Sequence, residues 1–363
     1  MATHSSQSAA WTADRFADPA SYTVTLGDGE RRRLLGAVSA WRDRGPQTPV
    51  ETLGRDALPL GSLDARLEAL YEEVRAGRGF VVIGGLPVDD VSLEDFTAAV
   101  WAIGTRFGTA LSQSAAGELI GHVIDATAED PTPRMFRSNL ELRAHNDITA
   151  MLSLACWHTS KSGGESVLVS GVTVHDAIER RAPHLLEPLY RGYHYHRMGE
   201  EGPGEEESTP FRVPVFAQVE GDLSVRYQRT GIAAGHRALG LPLEETDIEA
   251  FNLFDATALD PKHRLAFTLP RGSMLVLNNY VVMHARKRFA NHADPAKVRR
   301  LVRLWHDAPG FRRVPREFNH FSANGVPPQE GRQCTYDFRQ LYEDDPAGTG
   351  GVPDMRLDDA VSR

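Results

Sequence analysis

Cysteine is scarce in this sequence. Cys156 and Cys334 are the only two in 363 residues, and no CxxC pair occurs. That excludes a disulfide framework and leaves at most one bridge, so a reduced, cytoplasmic setting is the expectation. Long apolar runs are missing too. None approaches the roughly 18–20 residues that cross a bilayer. The opening MATHSSQSAAWTADRF has neither the basic nor the apolar region of a secretory signal. Basic charge is in deficit: 40 Lys and Arg face 49 Asp and Glu, for a net charge of −9. Neither nucleic acid nor an anionic membrane is an expected partner. No repeat at solenoid or propeller spacing is visible.

What remains is globular. A hydrophobic content of 41% is enough for one large domain with a substantial core. Residues 1–20 are small and polar and read as a flexible segment. Residues 346–363 are rich in Gly, Pro and Asp and read as a flexible tail. Residues 21–345 then form a single domain with helical insertions; a homo-oligomer is compatible with this.

Helices are predicted over 92–108, with Ser92 and Asp95 as a capping box, over 173–181, with Thr173 as N-cap, and over 244–258. Strand signals recur in short blocks: 77–87, 148–157, 165–171, 223–229, 264–269, 273–280 and 300–307. Many short strands between Gly/Pro turns predict an α+β fold, a barrel or sandwich with helices outside it. The acidic stretch GEEGPGEEESTP (199–210) reads as a solvated linker or as a lid over a site.

Against this background His145 and Asp147 stand two apart in LRAHNDITAM. On an extended strand, i and i+2 face the same side, so one imidazole and one carboxylate project together. The triplet alone is weak, because HAD (His292–Asp294) repeats it. A third ligand must come from elsewhere, and His284 in SMLVLNNYVVMHARKRF is the best candidate. Two histidines and one carboxylate on one face of an octahedron suit a non-haem Fe(II) centre. Downstream, Arg299, Leu301, Arg303 and Trp305 share one strand face, and Arg300, Val302 and Leu304 the other. Two arginines among apolar neighbours call for an anionic partner. A bound carboxylate would serve, at about 1.5–3 kcal/mol per charged hydrogen bond. A solvated edge or a salt bridge would serve equally.

Over residues 75–320 these pieces, in this order, resemble the TauD/TfdA family of Fe(II)- and 2-oxoglutarate-dependent dioxygenases, its clavaminate synthase-like branch included. The carriers are GFVVIGGLP, HND, GGES, GSMLVLNNYVVMHARKRF and RRLVRLWHD. The resemblance implies a double-stranded β-helix (jelly-roll) core flanked by helices. It implies Fe(II) on His145, Asp147 and His284, with O2 and 2-oxoglutarate as cosubstrates. Arg299, fifteen residues past His284, takes the 2-oxoglutarate carboxylate, with Ser166 of GGES beside it. Arg300 is the competing assignment, and strand parity disfavours it. Asn279 is structural, and His292–Asp294 falls in a variable loop and is rejected. PRGS (270–273) departs from the family's usual Pro-Gly-Asp and alters only a turn.

The activity implied is hydroxylation of an unactivated C–H of a small polar substrate, with desaturation or cyclisation as variants. Asn139 and Glu141 share parity with His145. With Arg303 they are candidates to hold an amino-acid-like substrate; a salt bridge from Glu141 to Arg143 or Arg137 is the plainer reading. Arg226 and Arg229 are further candidate anion contacts, with a structural role the plainer reading. A His2Asp zinc hydrolase and a non-catalytic binding barrel are the competing classes.

Overall fold

A computed structural model describes residues 8–89, 91–129, 135–322 and 324–330. Cys334 and the expected tail 346–363 lie outside them. Strands follow in chain order as β1 (Thr23–Thr25), β2 (Phe80–Gly84), β3 (Thr109–Ala110), β4 (Gly121–Val123), β5 (Leu142–His145), β6 (Met151–His158), β7 (Ser162–Gly163) and β8 (Ser166–Ser170). Then come β9 (Phe216–Val219), β10 (Asp222–Val225), β11 (Arg264–Phe267), β12 (Met274–Asn278), β13 (Val282–Arg286), β14 (Phe289–Ala290) and β15 (Arg300–Asp307).

The larger sheet runs β1-β2-β12-β6-β15-β3, with β4 also on β15; the smaller runs β11-β8-β13-β5. From β5 onward the chain crosses repeatedly between the two, which is the jelly-roll winding expected. Alternation divides the larger sheet. Phe80, Val82, Leu152, Leu275, Leu277 and Leu301 share one core with Leu168 and Met283 of the smaller sheet. Their neighbours Val81, Ile83, Met151, Met274, Val276, Val302 and Leu304 face a second core. That core is filled from helices Asp28–Arg42, Ser62–Ala76 and Leu93–Gly104 by Leu34, Leu67, Phe96 and Val100. Burying both faces explains why these strands read as near-continuous apolar runs.

Several expectations need correction. The N-terminal stretch is not loose from Ala9 onward, because its few apolar residues are used. Trp11 and Phe16 are buried beside Phe80. Trp11 Nε1 donates to the Arg78 carbonyl at 2.8 Å. Ser170 and Thr173 hydroxyls donate to the carbonyls of Ala9 and Trp11. That last bond also explains the cap: Thr173 is occupied, so Ser170 accepts from Thr173 N–H at 3.0 Å and the helix runs Gly171–Arg181. The strand expected over 223–229 stops at Val225, and Arg229 opens a helix to Ala238. Two glycines hid that helix. A Cβ on Gly235 would meet the His194 carbonyl oxygen at 2.5 Å, so close packing required the weak helix former.

Candidate active site

β5 and β13 pair antiparallel with His145 directly opposite His284. The register therefore brings the two imidazoles together, with ring centroids 4.2 Å apart. His284 lies in β13, which follows β12 after the turn at Asn279 and Tyr280. His145 Nδ1–H donates to the Arg143 carbonyl at 2.8 Å. That bond puts the proton on Nδ1 and leaves the Nε2 lone pair facing Asp147 Oδ1, 3.6 Å away. One donor atom from each of His145, Asp147 and His284 lies within 4.8 Å of the others.

Asp147 stands just past the end of β5 and is held by its surroundings. Asn279, fully buried, accepts from the Asp147 N–H and donates to its carbonyl. Arg226, also buried, donates to the same carbonyl and stacks on Tyr280 and Phe318. Asn146, between the two site residues, turns away and donates to the carbonyls of Asn279 and Val282. It also accepts from Tyr227 N–H at 3.0 Å. The side chain of Asp147 is fixed as well: Trp305 Nε1–H donates to Oδ2 at 2.8 Å, and Arg303 Nη1 lies 3.6 Å from the same oxygen.

Charge follows from this packing. Burial alone would raise the Asp147 carboxyl. Contact with His145 and the positive charge of Arg303 outweigh burial and hold it well below the usual carboxylate range. Burial pushes His284 down to about 3, with His145 adding to the fall. Near neutral pH the site thus offers an ionised carboxylate and, at His284, a neutral imidazole.

Arg299 immediately precedes β15 and is buried, whereas Arg300 is partly exposed. The register of β15 with β6 slips between Arg300 and Leu301 because Trp157 of β6 is skipped. Arg299 therefore keeps the facing of Leu301. Its guanidinium lies over the Phe289 ring at 4.9 Å. Its Nη1 is buried without a hydrogen-bond partner among the described residues. Burial lowers its pKa to about 10. Gly164, at φ +77°, allows this arrangement, since a Cβ there would meet Arg299 Nε at 3.1 Å. Ser166 follows in β8 and is buried.

Arg303 is engaged from several sides. Nε donates to Gln113 Oε1 at 2.7 Å, and the guanidinium lies between the rings of Phe136 and Trp305 at 4.0 and 5.1 Å. A pocket opens onto this end of the jelly roll. Arg143, His145, Asp147, Arg303 and Trp305 line it. Met198 and the buried Glu200, at the edge of the acidic loop, line it too, as do Arg229 and Asp255.

Asn139 and Glu141 precede the strand, so the parity that grouped them with His145 does not apply to them. The strand starts only at Leu142. Arg286 Nη2 takes the carbonyls of Ser138 and Leu140 and curls the chain before it. Asp294 of the repeat triplet caps the short turn Pro295–Lys297. Reading the sequence missed Asn146, Gln113 and the bond from Trp305; only Trp305 left a signal, its parity with Arg303.

Two histidines and a carboxylate at the mouth of a jelly roll suit an oxygenase-type metal centre. The model of the taurine catabolism dioxygenase TauD, TfdA family matches residues 44–305. The chain belongs to that family, the Fe(II)- and 2-oxoglutarate-dependent dioxygenases that its motifs resemble. Among curated relatives, FR-33289 synthase of Streptomyces rubellomurinus is 26% identical, over 84% of this chain and 91% of the relative. Among solved structures, asparagine oxygenase with Fe(II), 2S,3S-3-hydroxyasparagine and succinate superposes with TM-score 0.62 at 17% identity. That match covers 85% of this chain and all of the other. The non-heme iron oxygenase OrfP with Fe and alpha-ketoglutaric acid gives TM-score 0.59 at 13% identity, over 78% and 93% of the two chains. Among the described residues no helix is long and apolar enough to cross a membrane.

Proposed function

We propose that the protein uses Fe(II), held by His145, Asp147 and His284, and 2-oxoglutarate, held by Arg299 with Ser166, to hydroxylate a small, amino-acid-like molecule. The observation that carries the reading is a pair of unmet demands on one fold. His284 Nδ1 and Arg299 Nη1 are both buried without a hydrogen-bond partner among the described residues. A divalent metal suits a donor set of imidazoles and one ionised carboxylate. A carboxylate suits a desolvated guanidinium fork. A zinc hydrolase leaves Arg299 without a role.

When bound, the iron and 2-oxoglutarate supply the oxidising chemistry, with succinate and CO2 as coproducts. The chain's own residues do the rest. His145 presents Nε2 because Arg143 holds its other nitrogen. Asp147 stays ionised under the influence of Arg303. Phe289 covers the guanidinium of Arg299 and keeps water from it. The pocket wall carries both signs, Arg143 and Glu200 together with the Arg229–Asp255 ion pair, which suits a zwitterion. The hydroxyasparagine in the asparagine oxygenase complex is a ligand of that class. Cys156 is buried and forms no disulfide among the described residues, which fits a reducing cytoplasmic setting.

The test needs no substrate. Anaerobic titration with Fe(II) and then 2-oxoglutarate should produce the visible charge-transfer absorption of a chelated complex. An iron spectrum indifferent to 2-oxoglutarate would refute the proposal. Succinate release that requires both O2 and a zwitterionic amino acid would then support the substrate class.

A further inference from the structure

We propose that Trp305 is a positioning residue whose indole N–H confines Asp147 to one-oxygen ligation, keeping a coordination position free for dioxygen. The inference rests on the metal reading above and adds a role for a residue outside the ligand set. Asp147 has two carboxylate oxygens that face different neighbours. Oδ1 is turned to His145 Nε2 at 3.6 Å. Oδ2 accepts from Trp305 Nε1 at 2.8 Å, and Arg303 Nη1 stands 3.6 Å from it.

The indole cannot easily give way. Trp305 is 4% exposed. It lies within the longest pairing of the larger sheet, opposite Leu152 of β6, and the Arg303 guanidinium lies 5.1 Å from its ring centroid. The Asp147 backbone is pinned independently by Asn279 and Arg226. The remaining freedom is rotation about the two side-chain bonds, and the indole N–H on Oδ2 opposes it. A carboxylate free to rotate can chelate through both oxygens. Two imidazoles and a chelating carboxylate occupy four of six octahedral positions. 2-Oxoglutarate takes two more and none is left. One oxygen leaves the sixth open.

Nitric oxide, a dioxygen surrogate, is the probe. The wild type, Trp305→Phe and Leu301→Ala are loaded anaerobically with Fe(II) and saturating 2-oxoglutarate. They are then titrated with nitric oxide and followed by electron paramagnetic resonance. Trp305→Phe keeps an aromatic ring but removes the donor, and we expect at least tenfold weaker nitric oxide binding. Leu301→Ala loosens the same strand face without touching Asp147 and should lower thermal stability while leaving nitric oxide affinity unchanged. Equal affinity in wild type and Trp305→Phe, with a normal Fe(II)–2-oxoglutarate absorption in both, overturns this inference alone. Absence of that absorption in the wild type overturns the functional reading, and this one with it. Independent of any variant is a crystal structure of the wild type with Fe(II) and 2-oxoglutarate. One Asp147 oxygen on the metal and the other on Trp305 supports the inference; both oxygens on the metal overturns it.

Discussion

Two buried arginines stand four residues apart at the start of β15 and inside it, on one face, and they live differently. Arg303 is met by Gln113, by the Asp147 carboxylate and by two aromatic rings. Arg299 has one ring and a buried Nη1 with no partner among the described residues. Desolvating a guanidinium is costly without hydrogen bonds to offset it. Arg303 recovers much of that cost inside the protein, through Nε, Nη1 and two rings, at the edge of the candidate metal site. The Arg299 guanidinium has only the Phe289 ring among the described residues, which supports the proposal that a ligand carboxylate meets it. Position on the strand is the same; the supply of partners distinguishes their roles.

The largest effects should come from the ligand set that Arg303 serves. His145→Ala or His284→Ala should weaken Fe(II) binding by more than the roughly 10–100-fold typical of losing an outer partner. Anaerobic metal titration checks it. Retained stoichiometric Fe(II) in either variant would remove the triad from consideration. Next, Arg299→Ala should raise the 2-oxoglutarate half-saturation by roughly 10- to 100-fold, from the loss of a charged hydrogen bond of about 1.5–3 kcal/mol. Fe(II) affinity without 2-oxoglutarate should hardly change. Arg303→Lys should do the reverse. It keeps a charge but loses the planar fork and its stacking, so Fe(II) affinity should fall about 10-fold. The shift in 2-oxoglutarate should be smaller than for Arg299→Ala. If both variants moved both ligands alike, the contrast between the two arginines would be lost.

The opposite face of the same strand supplies a pH prediction. His306 is buried there, with Nε2 2.6 Å from Ser153 Oγ. Burial lowers its pKa to about 3, as it does for His284. In the unfolded chain both titrate near the ordinary histidine value of about 6.5. The unfolded state therefore binds more protons below that value, so stability is fully present above it and is lost as pH falls toward 3. Melting the metal-free protein from pH 8 to pH 4 should show Tm constant down to about pH 7 and declining below. A flat profile would mean that these histidines are not buried in neutral form.

The strands and the candidate ligand types were legible in the sequence because each depends on local pattern, whereas the jelly-roll winding followed from the family resemblance. Apolar alternation marks β15, and His-x-Asp is a spacing rule. What was not legible depends on pairings between distant segments. Asn146 looked like a spacer, and only the approach of Val282 and Tyr227 turns it into a clamp. Asn139 and Glu141 were extrapolated along a strand that Arg286 prevents from forming. The helix from Arg229 was hidden because Gly235 answers to the His194 backbone, not to helix propensity. Trp305 had the right parity, but parity says which side a residue faces, not which atom it meets.

The smallest effect tests the facing rule itself. Arg300 adjoins Arg299 in sequence, but it is partly exposed and has the opposite parity. Its substitution by alanine should change 2-oxoglutarate half-saturation by less than about fivefold, the most expected from an exposed pair worth up to about 1 kcal/mol. The prediction is sharp because the β6 register slips at this point. A slip in β15 itself would exchange the two arginines. Comparable losses in Arg299→Ala and Arg300→Ala would mean that the guanidinium facing the cosubstrate is not fixed by strand parity. The contrast with Arg303 would then have to be drawn from the bulge instead.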